Sequence, residues 1–405
     1  MGWIACMFTS ACIRSFLDPS INLSSPHGQA AISVHQFTRS ESGAMTQLEE
    51  FSHPEIITAT RNFSEDLIIG RSKKQWLYKA SIPKFCHGFV VVKRFLESKR
   101  TNLHAMVEEV KIHRSMEDRP SPYILKLLGY CAEDKDPLLI YEYESPGDKT
   151  LAQCLQQDTL EWSSRLKIAT NIASAIETLH GADDRFANVS VYLRNLQSDD
   201  ILLDRMKKPK IADFSSGIVM PTSANCKNYS STIRPGLAIG PTVYIDPYYM
   251  KTGQLSEKTD VYSFGVMLME LVTSMIASDT FPSTAFGSHK NLVSLITETV
   301  HLGTLFEHDI VDPSFDSSQS CRDSILAVAN LATKCCASNP RSRPSISAVR
   351  RELEVIMMNY FQLPLTTILN GNKPQHPHKG LNSQQLYDMM TQRYKIMSSI
   401  SNFSI

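Results

Sequence analysis

One stretch concentrates the side chains able to bind and orient a charged group: Tyr192-Leu-Arg-Asn-Leu-Gln-Ser-Asp-Asp-Ile-Leu-Leu-Asp204, with Asp213-Phe-Ser215 nine residues further on. A polar loop runs into the apolar triplet Ile201 to Leu203, and a second apolar run, Pro209-Lys-Ile-Ala212, ends in an acid. Two short strands would hold the amides of Asn195 and Gln197 and the carboxylates of Asp200 and Asp213 in one cleft. A cation is available upstream. Lys93 follows Val-Val-Val in an apolar strand, and a buried ammonium without a counter-charge is expensive, so that strand demands an acid opposite it. The competing reading of Lys93 is an edge-strand lysine pointing to water.

The order of these residues resembles the catalytic loop and metal-binding loop of eukaryotic protein kinases, H-R-D-x-K-x-x-N and D-F-G. Ile201-Leu-Leu-Asp204 sets the register. Leu193-Arg-Asn195 then stands for His-Arg-Asp, Gln197 for the lysine, Asp200 for the asparagine and Ser215 for the glycine of D-F-G. The resemblance implies that Lys93 holds the phosphates of ATP and pairs with Glu109, or with its neighbour Glu108, on a following helix. It makes Asp200 and Asp213 the oxygen ligands of Mg²⁺.

The elements that must position these groups are legible upstream. Leu67-Ile-Ile-Gly70, Gln75 to Ile82 and Phe89 to Phe95 read as three antiparallel strands, and Ile124 to Cys131 with Pro137 to Tyr143 complete a five-stranded sheet. A kinase glycine loop closes bare backbone over the phosphates, but here its three positions are Gly70, Ser72 and Gln75, and a plain hairpin turn explains the stretch equally well. Leu-Leu-Gly-Tyr-Cys131 and Tyr141-Glu-Tyr143 are similar to plant receptor-like kinases. In that family Tyr141 guards the adenine pocket, while Glu142, Tyr143 and Glu144 form the hinge whose backbone meets adenine. Phe51-Ser-His-Pro-Glu-Ile resembles the entry to the same domains, with Ser52 and Glu55 as a capping box.

Helical signals follow. Trp162 to His180 puts Leu166, Ala169, Ala173, Ile176 and His180 on one stripe. Asp260-Val-Tyr-Ser-Phe-Gly265 opens a long apolar helix, and by resemblance Asp260 braces the catalytic loop. The segment from Ser215 to Ile239 is rich in Ser, Thr and Asn, as a mobile activation segment is. Tyr244-Ile-Asp-Pro-Tyr-Tyr249 has Tyr248 where the family has a glutamate that pairs with a buried arginine, here Arg343, so another acid or carbonyl must satisfy Arg343.

Phosphoryl transfer asks a protein for positioning and charge compensation. Asn195 can orient a hydroxyl but has no useful basicity, and loss of a positioned base typically costs about 10²–10⁴ in rate. Gln197 removes a positive charge expected at the γ-phosphate, a penalty of about 3–4 kcal/mol by analogy with other lost electrostatic stabilisers. Together these edits resemble plant pseudokinases, in particular the ZED-related group of adaptors for immune receptors. The resemblance implies a catalytically impaired scaffold in plant receptor-kinase or immune signalling that recruits an active receptor-like kinase or an immune receptor. A weakly active serine/threonine kinase and a switch that binds ATP without turnover are the alternatives.

The rest of the composition excludes more than it suggests. Lys plus Arg and Asp plus Glu are 41 each, so nothing favours nucleic acid. The nine cysteines show neither a disulfide framework nor zinc spacing. No apolar run is long enough to span a membrane, and the expected location is cytoplasmic. Palmitoylation at Cys6 or Cys12, holding the chain at the inner face of the plasma membrane, competes with an unmodified leader. The expected organisation is an α+β bilobal, kinase-like fold. It has a disordered leader over 1–50, a small lobe of five antiparallel strands and one helix over 51–144, a mainly helical lobe over 145–360, and a polar tail over 361–405 with an amphipathic helix from Ser383 to Ile400.

Overall fold

A computed structural model describes residues 48–71, 75–82, 89–96, 99–132, 137–143, 149–157, 160–181, 189–221, 241–278, 291–307 and 309–361. Cys6, Cys12, Ser72, Glu144, residues 222–240 and the expected tail helix lie outside them.

The small lobe is a six-stranded sheet in the order β1 (Glu49–Glu50), β5 (Lys126–Cys131), β6 (Leu138–Glu142), β4 (Phe89–Phe95), β3 (Gln75–Ser81), β2 (Ile68–Arg71). The five expected strands pair antiparallel, and β1 adds a parallel edge, Glu49 opposite Gly129 and Glu50 opposite Tyr130. Glu49 and Glu50, at the end of the segment read as a leader, are thus paired strand residues. A Cβ on Gly129 would stand 2.1 Å from the Glu49 carbonyl oxygen and 2.6 Å from the Phe51 ring, so only glycine lets β1 approach. The glycine of Leu-Leu-Gly-Tyr-Cys and the Phe51 entry motif are the two sides of one contact.

Strand β4 shows how the sequence aims Lys93. Its side chains alternate between faces. Val90 and Val92 pack with Tyr78, Ile56 and Phe51, on the side of the short helix α1 (His53–Ala59). Val91 and Phe95 pack with Met106 and Val110 of helix α2 (Lys99–Ser115), and Lys93 shares their face. The strand lies inside the sheet, between β3 and β6, which removes the edge-strand reading of Lys93. Helix α1 begins at the capping box of Ser52 and Glu55, so two helices cover this lobe, one on each face.

In the large lobe, α3 (Leu151–Gln157) and α4 (Trp162–His180) are followed by a two-stranded ribbon of β8 (Val189–Tyr192) with β11 (Ile218–Pro221). A three-stranded sheet joins β7 (Lys149–Thr150), β9 (Ile201–Leu203) and β10 (Pro209–Ile211). All five residues of the expected α4 stripe are buried. The helix stops at Gly181, whose φ of 73° suits glycine. Helices α5 (Pro247–Thr252), α6 (Glu257–Thr273), α7 (Leu292–Leu302), α8 (Gln319–Cys335) and α9 (Ile346–Tyr360) complete the lobe. Helix α6 is buried all round from Thr259 to Thr273, its apolar residues lying on every face. No described helix is long and apolar enough to cross a membrane.

Candidate functional site

Lys93 reaches the cleft fully buried. Its Nζ lies 2.8 and 2.7 Å from the two Glu109 carboxylate oxygens and 2.7 Å from Asp213 Oδ1. Glu109 makes this pair, while Glu108 binds Lys111 on the helix surface. Burial favours the neutral amine, but Asp213 and Glu109 outweigh it and hold Lys93 charged beyond its ordinary range. The Tyr141 hydroxyl donates to Glu109 Oε1 at 2.5 Å, and burial together with the Glu109 charge keeps that phenol protonated.

The polar loop is tied down through its backbone. Asp260, in the first turn of α6, accepts the Leu193 and Arg194 amides at 3.0 and 2.7 Å. This lets Arg194 adopt a φ of 68°. His180 closes the arrangement, with Nε2 2.8 Å from Asp260 Oδ2 and its ring edge-on to Tyr192. Asn195 is buried, and its Oδ1 has no hydrogen-bond partner among the described residues. Gln197 precedes the 3-10 turn Ser198–Asp200, its backbone amide donating to Asp200 Oδ2 at 3.0 Å. Burial, then the nearby Asp213 charge, pushes the Asp200 carboxyl well above the usual carboxylate range.

Asp213 sits between the lobes. Its Oδ1 accepts Lys93 and the Ser215 amide (2.9 Å), its Oδ2 accepts the Ser215 hydroxyl (3.2 Å), and the Gln75 side chain also hydrogen-bonds it. Burial alone would raise this carboxyl, but the Lys93 ammonium and these donors lower it. Phe214 packs edge-on against His113 of α2, whose ring also lies beside Tyr141. Burial, then the Lys93 charge, takes His113 down to about 3, so this imidazole is a neutral packing group at physiological pH.

At the cleft's upper edge, Gly70 is buried in β2, where a Cβ would meet Leu77 and Thr150 at 3.2 and 3.4 Å. Glu142 ends β6 with its carboxylate turned to Lys126 at 3.4 Å, away from the acid cluster. Tyr143 is buried and donates to the Leu203 carbonyl at 3.2 Å, linking the hinge to the strand below the loop. Lys93, Glu109, Asp200 and Asp213 thus gather at one place, with Asn195 and Gln197 on the adjoining loop.

A family model described as protein tyrosine and serine/threonine kinase matches residues 77–353. The chain belongs to the protein kinase family. It is similar to Wall-associated receptor kinase-like 14 of Arabidopsis thaliana, with 33% identity over 326 residues, 79% of this chain and 43% of that one. Wall-associated receptor kinase 2 of the same plant is 31% identical over 308 residues, 76% and 39% of the two chains. Receptor protein kinase WSS1 of Oryza sativa subsp. japonica is 32% identical over 308 residues, 72% and 30%. The chain therefore spans less than half the length of these plant receptor kinases.

Protein kinases use ATP with Mg²⁺, and the acids here can be tested for that fit. A carboxylate offers about four lone-pair sites. Asp213 already receives Lys93, the Ser215 amide, the Ser215 hydroxyl and Gln75. Asp200 already accepts the Gln197 backbone amide at 3.0 Å. Among the described residues no group of three or more His, Cys, Asp or Glu forms a metal cluster. As arranged, the pair does not fit a Mg²⁺ ion without releasing a protein donor.

Elsewhere the kinase frame has repaired one of its own edits. Arg343 donates from both terminal nitrogens to the two Asp246 oxygens, and to the Ala337 and Lys258 carbonyls. Tyr248, at the family's glutamate position, instead lies part-exposed and bonds Gln254. Sequence reasoning also missed the roles of Gln75, His113 and the Tyr141 hydroxyl. For Gln75 the available signal was a polar residue standing at a glycine position of the loop.

Proposed function

We propose that this protein is a catalytically impaired kinase, a pseudokinase of the plant receptor-like lineage. In this reading it works as a cytoplasmic scaffold binding an active receptor-like kinase or an immune receptor. The observation that carries the reading is an intact frame around edited chemistry. The Lys93–Glu109 pair is made and Asp260 braces the loop, while the side chains presented at the positions of base and lysine are Asn195 and Gln197. A frame that had decayed with its activity would be expected to lose its buried charges first, since each is costly to keep unpaired.

Gly70, Lys93, Glu109 and the hinge at Glu142 and Tyr143 then persist as architecture around the cleft. The missing base costs about 3–5 kcal/mol of barrier, and Gln197 withdraws charge from the same transition state. The costs fall on one step and largely accumulate.

The test is phosphotransfer by purified protein with ATP and Mg²⁺ or Mn²⁺, to itself and to a generic serine/threonine substrate. Incorporation at background level is expected. Robust autophosphorylation that disappears in Lys93→Met would establish the alternative, an active serine/threonine kinase.

A further inference from the structure

Both charged ends of the cleft are saturated by the protein itself. An ammonium has three donors, and Lys93 spends them on Glu109 Oε1, Glu109 Oε2 and Asp213 Oδ1. Asp213 receives four protein donors. Three of those four come from residues that stand where the kinase pattern has glycine, and two of the three are side-chain donors. Gln75 occupies the third glycine position of the loop, opens β3 opposite Phe95, and is buried at 4% exposure. Ser215 occupies the last position of D-F-G. Glycine at either position has no side chain to donate.

We propose that Gln75 and Ser215 are built-in occupants of the metal and phosphate subsite, closing the cleft on itself and excluding Mg-ATP. The Gln75 amide bridges the small-lobe sheet to Asp213 in the place of a phosphate–metal bridge. The Ser215 hydroxyl takes the Asp213 oxygen that a cation would need. A hard cation binds Asp213 only by displacing donors already satisfied. This concerns entry to the site and is independent of whether Asn195 can act in transfer.

The experiment is thermal unfolding of the full chain with ATP or ADP, each with and without Mg²⁺, on wild type and on Gln75→Gly/Ser215→Gly. Wild type should show no Mg²⁺-dependent stabilisation by nucleotide. The double variant should gain a Mg²⁺-dependent rise of several degrees at saturating nucleotide. Gln75→Ala/Ser215→Ala removes the same donors while sparing the strand from glycine, and should behave alike if the glycine pair folds poorly. Equal Mg²⁺-dependent shifts in wild type and variants would overturn the proposal, as would cooperative unfolding of either variant with no such shift. Phosphotransfer is not the readout, so a variant that binds Mg-ATP without transferring phosphate supports this proposal and leaves the pseudokinase reading standing.

Discussion

Arg343 and Asp246 face each other in a two-armed ion pair, 2.7 Å on each arm, with both side chains sealed from solvent. Asp246 also caps α5 by accepting the Tyr248 amide at 2.9 Å. The substitution of Tyr248 for the family's glutamate is thus compensated two residues earlier, within the same turn.

Asp246→Ala should therefore be severe. It strands a buried guanidinium and opens a helix start, for a loss of about 3–5 kcal/mol. Tyr248→Ala, at the position where the family pattern puts the partner, should cost much less, about 1 kcal/mol or below. Denaturant unfolding of the two variants checks the contrast. Comparable losses would mean that Arg343 depends on both residues.

Glu270, buried in α6, accepts the Ala277 amide at 2.8 Å and the Tyr244 hydroxyl. Burial outweighs these bonds and pushes its carboxyl from 4.5 up to about 7. The folded protein then keeps a proton that the unfolded chain gives up near 4.5, so stability falls as pH rises from there to about 7 and levels off above. Glu270→Gln should remove that slope and be more stable at pH near 8, by on the order of 3 kcal/mol. Melting temperatures of both proteins across this range test it. Parallel profiles would show that Glu270 ionises normally.

Gly129 leads to a third expectation. Its replacement by valine must push β1 off the sheet edge, because backbone, not a flexible side chain, occupies the space. A loss of about 1–3 kcal/mol is expected, with faster amide exchange at Phe51, whose N–H bonds the Tyr130 carbonyl at 2.9 Å. Unchanged exchange there would mean that β1 contributes little.

The sequence displays some of these relationships and hides others for physical reasons. The need for an acid beside Lys93 was readable from the cost of a bare buried ammonium, and Glu109 or Glu108 as that acid from the kinase resemblance. The α4 stripe was readable because one helix face must be apolar. Asp246 was hidden, since the family register draws attention to position 248 and a neighbouring acid looks like a helix cap, which it also is. Strand β1 was hidden because its two residues carry no periodicity; only Gly129 hinted that some backbone came close. Gln75 and Ser215 were visible as missing glycines, but sequence alone gave no sign that both side chains would meet at Asp213.

The last expectation joins the edited loop to the closed cleft. Asn195→Asp with Gln197→Lys restores a base and a charge worth several powers of ten in rate between them. Yet in the present cleft Lys93 has no donor to spare and Asp213 no free lone pair. That pair of changes alone should leave phosphotransfer at background. Adding Gln75→Gly and Ser215→Gly should bring measurable autophosphorylation, because base, charge and metal site are then present together. Radiolabel incorporation from ATP, with Lys93→Met as the control for each protein, decides it. Activity in the Asn195→Asp/Gln197→Lys protein alone would show that Gln75 and Ser215 yield readily to Mg-ATP, and that the two loop positions by themselves had silenced the kinase.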